Sequence, residues 1–179
     1  MPHNINVFKN IFFQLKEWYK EELNYSEEDF NLYNDFSILK LIKLQFFISA
    51  VNSENNNDIL NGYQFFAMPY GPVETNTYSL IKENQINGIN INRYKTNVSE
   101  NFNLIEHDLN NNISIAINLL KEEEPNIIIA SAGELVDLSH KWQSWKRNYA
   151  FARARRMYSC PMDNNEIIND TKIFNLKTL

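Results

Sequence analysis

Asp35-Phe36-Ser37-Ile38-Leu39-Lys40-Leu41-Ile42-Lys43-Leu44-Gln45-Phe46-Phe47-Ile48-Ser49-Ala50 reads as a helix with almost no outside. Ile38, Leu39, Ile42, Leu44, Phe46, Phe47 and Ile48, with Gln45 among them, cover most of its sides, and only Lys40 and Lys43 ask for water. A helix that is apolar nearly all round belongs at the centre of a domain, with other elements wrapped about it.

On its N-terminal side, from Ile5 to Leu23, Val7, Ile11, Phe12, Leu15, Trp18 and Tyr19 recur at steps of three and four, with Lys9, Lys16, Glu17 and Lys20 between them. That spacing predicts an amphipathic helix. Ser26, followed by Glu27, Glu28 and Asp29, has the chemistry to cap a short second one. On the C-terminal side, 51–61 is an Asn-rich loop, and Tyr63, Phe65, Phe66 and Met68 lead into Pro69-Tyr70-Gly71-Pro72. Two prolines around a glycine stop a helix or a central strand. The segment Tyr70 to Glu74 reads as a rigid turn, with Gly71 at a backbone angle closed to other residues, Pro72 opening a helix and Glu74 complementing its dipole. That helix is predicted from Val73 or Glu74 to Ile81, ended by Asn84, Asn87 and Gly88. Further on come a short strand at Ile89 to Asn92, a helix over Ile113 to Glu123 closed by Pro125, and a short strand at Ile127 to Ile129. Ser131 and Glu134 have capping-box spacing, and the helix they start carries Leu135, Leu138 and Trp142 inward. Cys160-Pro161 breaks the pattern before a last short helix over Glu166 to Asn169. The fold class is mainly α: a compact single-domain multi-helix bundle with at most a minor β element.

With 179 residues, 44% of them hydrophobic, one domain can bury a core without disulfide staples, and the single cysteine, Cys160, fits a reducing cytoplasm. No apolar run approaches a membrane span and the N-terminus does not read as a signal peptide, so a soluble, cytoplasmic protein is expected, with no membrane partner. The net charge of -5 repels phosphate backbones, so nucleic acid is not the expected partner. The many asparagines, including 55–57 and 110–112, fall between periodic segments and mark loops.

There is no Gly-rich phosphate loop, nucleophile elbow or paired-cysteine site, and His3, His107 and His140 lie far apart without metal-ligand spacing. No catalytic residue, metal or cofactor is assigned. Cys160 and His140 offer the residue types of a nucleophile and its base, but one such pair carries no spacing signature. His140, beside Trp142 and Trp145 at a helix end, reads as a buried or half-buried residue whose ring nitrogens hold backbone groups. Lys146, Arg147, Arg153, Arg155 and Arg156 alternate with Trp145, Tyr149 and Phe151. The basic residues do not share one helical face with the rings, so the rings are expected inward and the arginines paired with the protein's own carboxylates. The competing reading is a contact to a phosphate backbone or to an acidic protein surface.

Three blocks together resemble the Panacea antitoxin domain, the SocA-like group of toxin–antitoxin systems, phages and other mobile elements. The first is Leu39-Lys40-Leu41-Ile42-Lys43-Leu44-Gln45-Phe46-Phe47. The second is Phe66-Ala67-Met68-Pro69-Tyr70-Gly71-Pro72-Val73-Glu74, and the third is Leu135-Val136-Asp137-Leu138-Ser139-His140-Lys141-Trp142-Gln143-Ser144-Trp145. The resemblance places an N-terminal helical extension at 1–33 before an antitoxin domain at 34–179. It implies a non-enzymatic antitoxin that neutralises a separately encoded toxin by direct protein–protein binding. Tyr70, Gly71, Pro72, Val73, Glu74, Ser139, His140, Trp142 and Trp145 are the candidates for the family motif or partner contact. Two further readings stay open: an adaptor that hands the toxin to a protease, and a mobile-element regulator that binds nucleic acid through the segment Arg147 to Arg156. An acidic surface would steer toward a basic toxin, and the helix at Ile5 to Leu23 offers an extra contact element, with packing of its apolar face into the core as the competing reading. Self-association is left open.

Overall fold

The computed structural model describes residues 2–104 and 108–178. The elements run α1 (Pro2–Leu23), α2 (Glu27–Tyr33), α3 (Ile38–Val51), α4 (Asp58–Asn61), β1 (Phe65–Met68), β2 (Gly71–Glu74), α5 (Thr75–Lys82), β3 (Ile89–Ile91) and β4 (Thr96–Val98). They continue with α6 (Asn110–Glu123), α7 (Ala132–Ser139), α8 (Gln143–Ala154), β5 (Cys160–Pro161) and α9 (Asn164–Ile168). The chain is mainly helical with a minor β component. That component is a three-stranded antiparallel sheet, ordered β2-β1-β5, and a separate β3-β4 pair.

The central helix is where the apolar pattern places it. α3 is buried from Lys40 through Ala50, and α1, α4, α5, α6, α7 and β2 all pack on it. It begins at Ile38, later than the apolar run suggests, because Ser37 is extended and its hydroxyl accepts the Lys40 amide at 3.2 Å. The expectation that Lys40 and Lys43 face water is wrong: both are 0% exposed. Lys40 runs its stem through the core beside Tyr19 and Phe36 and reaches Asp35 at 2.7 Å, so its charge is compensated at the helix entrance. Lys43 has no such outlet.

α1 buries Val7, Phe8, Ile11, Phe12, Leu15, Trp18 and Tyr19 in the same core, so its apolar face packs within the molecule. The predicted capping box forms at Ser131 with Glu134, and the predicted cap at Ser26 forms as a second box, with Asp29. Leu135, Leu138 and Trp142 are fully buried, the Trp142 indole lying edge-on to Phe46 with its Nε1 donating to the Ile173 carbonyl at 3.0 Å.

Other expectations need correction. Pro72 does not open a helix. It lies in β2, an edge strand, facing Ala67 of β1. Its carbonyl turns away from β1 toward α3, and its missing N–H would point the same way, so no ladder bond is lost. α5 then starts at Thr75, with the buried Glu74 carboxylate as its cap, accepting from Thr77 N at 2.7 Å. The stretch Ile127 to Ile129 is no strand. Pro125 and the capping carboxylate of Glu124 turn it into a 3-10 helix over Pro125–Ile128. Cys160-Pro161 does not merely break a pattern but pairs with Phe66 and Ala67 as β5. The strand at Ile89 has a partner the pattern did not signal, β4. The loop 51–61 also contains α4. Among the described residues no helix is long and apolar enough to cross a membrane.

Candidate functional site: a clamped hairpin beside an apolar groove

The β1–β2 hairpin turns through Pro69-Tyr70, with Met68 facing Gly71 in register. Gly71 has φ +92, the left-handed region that the sequence assigned to it. The space above it is also closed: an added Cβ would lie 2.2 Å from Ser139 Oγ and 3.0 Å from Lys43 Cε. The tip of the hairpin is thus wedged between α3 and the end of α7.

Three of its main-chain oxygens are held by side chains from elsewhere. Lys43 Nζ donates to the Pro72 carbonyl at 2.6 Å, and Trp145 Nε1 donates to the Met68 carbonyl at 2.9 Å. The His140 ring bonds to Pro69, which has only its carbonyl to offer. His140 and Trp145 stack at 3.9 Å with 12° between planes, and Trp145 stacks in turn on Tyr149 at 5.1 Å. Ser139 is fully buried and donates to the Val136 carbonyl at 2.8 Å. The three sequence blocks therefore meet at one junction, with the middle block gripped by the other two.

The electrostatics follow from burial. No carboxylate forms an ion pair with Lys43 among the described residues, and burial pushes its ammonium down to about 7. Burial also lowers the His140 imidazole below its ordinary value, and the Lys43 charge adds to that, against Asp137 and the bond to Pro69. One ring nitrogen, Nε2, is buried without a partner. The Cys160 thiol donates to the Asn148 carbonyl at 3.0 Å, and burial raises its pKa, which is the reverse of an activated nucleophile. Among the described residues no group of three His, Cys, Asp or Glu side chains could hold a metal; His107 lies outside them.

Beside the junction lies a cavity of about 560 Å³. Ile38, Leu39 and Ile42 of α3, with Met68 and Val73 of the hairpin, give it an aliphatic lining. Tyr70, Tyr78, Tyr158 and Arg93 complete it, with Tyr70 65% and Tyr158 66% exposed. Of the sequence candidates, only Tyr70 and Val73 reach this groove. Gly71, Pro72, Glu74, Ser139, His140, Trp142 and Trp145 hold the fold around it. Tyr78, Arg93 and Tyr158 were missed, since a surface tyrosine or arginine carries no periodic signal.

The basic stretch departs from expectation. Trp145 is inside and Tyr149 half-buried, but Phe151 is exposed with Arg155 stacked over it at 4.2 Å. Lys146, Arg147, Arg153, Arg155 and Arg156 are exposed and enter no ion pair among the described residues, so they are not paired with the protein's own carboxylates. Arg147 faces a different hollow, with Glu166 and Asp170.

A family model, Antitoxin SocA-like, Panacea domain, matches residues 41–146. The match covers more than half of the chain, and the chain belongs to this antitoxin family. It contains all three clamping side chains and the whole hairpin, and ends before Arg153, Arg155, Arg156 and Tyr158. No curated protein and no solved structure gave a significant match.

Proposed function

We propose that this chain neutralises a separately encoded protein toxin by binding it directly, in the cytoplasm, without catalysing a reaction and without a cofactor. One observation carries the reading: the polar groups of the family's blocks hold a hairpin in place, and the side chains presented beside it are tyrosines and an arginine around an aliphatic floor. Tyrosine and arginine are enriched among residues that dominate protein–protein binding energy, because they combine large contact area with a polar end. Membership of an antitoxin family supplies the kind of partner. The net charge of -5 favours encounter with a toxin that is basic overall.

The test is co-expression with the product of the adjacent reading frame, scoring growth and co-purification. Restored growth with a stable complex is the expected result. A neighbour that is harmless, or toxic but never bound, removes the reading. A toxin whose level falls with time in the presence of this chain points instead to delivery to a protease.

A further inference from the structure

The groove between α3 and the hairpin is edged by charge of one sign. Arg93 is its one charged lining residue; Arg155 and Arg156 do not line it but precede Tyr158 by three and two positions in the chain. None of the three forms an ion pair among the described residues; Arg93 lies over the Tyr94 ring at 4.5 Å. In a chain with five more acidic than basic residues, this is uncompensated positive charge beside an apolar depression.

Arg156, just before the Tyr158 segment, is held against backbone preference. It closes α8 at φ +58, with its own amide bonded to the Arg153 carbonyl at 3.0 Å and the Met157 amide bonded to Ala152 at 2.9 Å. That is the two-bond closure in which glycine usually occupies the left-handed position.

We propose that the groove seats an apolar segment of the protein toxin whose anchoring side chains are flanked by carboxylates. The identity of the partner rests on the neutralisation reading; the chemistry of the contact is new to it. Leu39, Ile42 and Val73 offer aliphatic surface without donors or acceptors, which suits aliphatic anchors better than nucleobases, whose edges would be left unpaired. Arg93 then pairs with a flanking carboxylate, where bidentate contact is available. A toxin that is basic overall can carry such a segment, since long-range steering and local pairing act at different distances.

The experiment measures binding of the full chain to two labelled peptides that share the same leucine anchors and differ only in flanking Glu or Lys. A short single-stranded oligodeoxythymidine is the third probe. The Glu peptide is expected to bind at least about tenfold more tightly than the Lys peptide, and Arg93→Glu to reverse the preference. The double variant Tyr70→Ala/Tyr158→Ala, at two exposed positions that leave the core intact, is expected to weaken the Glu peptide by about tenfold or more. Arg147→Ala, in the other hollow, is expected to change nothing. No preference for the Glu peptide, no binding of either peptide, unchanged binding by the tyrosine variant, or tighter binding of the oligonucleotide would each overturn the proposal. The two readings fail separately. Neutralisation that survives both Arg93→Glu and the tyrosine variant removes the groove and keeps the antitoxin, whereas loss of wild-type neutralisation with the peptide preference intact does the opposite.

Discussion

Replacing Gly71 by alanine creates two conflicts at once. The backbone angle of +92° disfavours any Cβ, and the new atom would collide with Ser139 Oγ, which is itself fixed by its bond to Val136. Strain of these two kinds costs roughly 2–4 kcal/mol, so a fall in melting temperature on the order of 10 °C is expected in a thermal melt. Lys43 makes a prediction with a sign. Its pKa is about 7 in the folded protein and near 10.5 when the chain is unfolded. Between those values the unfolded chain binds the extra proton, so stability rises with pH. Urea midpoints measured from about pH 7 to about pH 9 should climb less steeply for Lys43→Met than for the native chain. Equal slopes would show that the ammonium is not desolvated. His140→Ala removes the stack on Trp145 and the bond to Pro69 together. It is expected to lower the melting temperature while toxin rescue persists below the melt; lost rescue at an unchanged melting temperature would make His140 a contact residue instead. In the sequence, Gly71 was legible because its flanking prolines announce a turn. Lys43 was not, since periodicity marks a lysine as a surface residue and the carbonyl that retains it lies 29 positions away.

At the level of elements, α3, α1 and the helix caps at Ser26 and Ser131 could be read from local spacing because apolar period and cap chemistry are properties of neighbouring residues. The two β5 positions could not. Cys160 and Pro161 become a strand only through Phe66 and Ala67, far back in the chain. Likewise, three consecutive isoleucines suggested a strand, yet Glu124 and Pro125 before them supply a cap and a fixed φ that start a 3-10 turn. Helix endings were better signalled: Asn24 and Asn84 occupy the left-handed position after α1 and α5, at φ 54 and φ 55. Asparagine tolerates that region through its short polar side chain. Arginine has no such excuse at 156. Arg156→Gly is therefore expected to raise stability by about 1 kcal/mol, read as a higher urea midpoint. A glycine variant that is less stable would mean that the Arg156 side chain has a partner holding α8 closed.

For the whole molecule, the N-terminal segment ahead of the family match is the part whose role the sequence left divided between extension and core. Seven large side chains of α1 are buried, each contributing about 1.5–3 kcal/mol, a sum on the order of the net stability of a domain. Deleting residues 2–33 is accordingly expected to give a chain without a cooperative melt by circular dichroism. A truncated chain that still melts cooperatively would define 34–179 as self-sufficient. The site divides along a similar line. The sequence located the residues that build the junction, because motif blocks record packing constraints, and missed most of the groove, because Tyr78, Arg93 and Tyr158 come from α5, the β3–β4 turn and the segment after α8. That division has a consequence for how such a molecule changes. The hairpin is anchored through main-chain oxygens, which every amino acid possesses, so the identity of the side chain at 70 is irrelevant to its anchorage. Positions 70, 78 and 158 can be rewritten by mutation while the scaffold beneath them stays constant, so that, if the groove binds as proposed, a lineage of such proteins could exchange one bound partner for another without passing through unfolded intermediates.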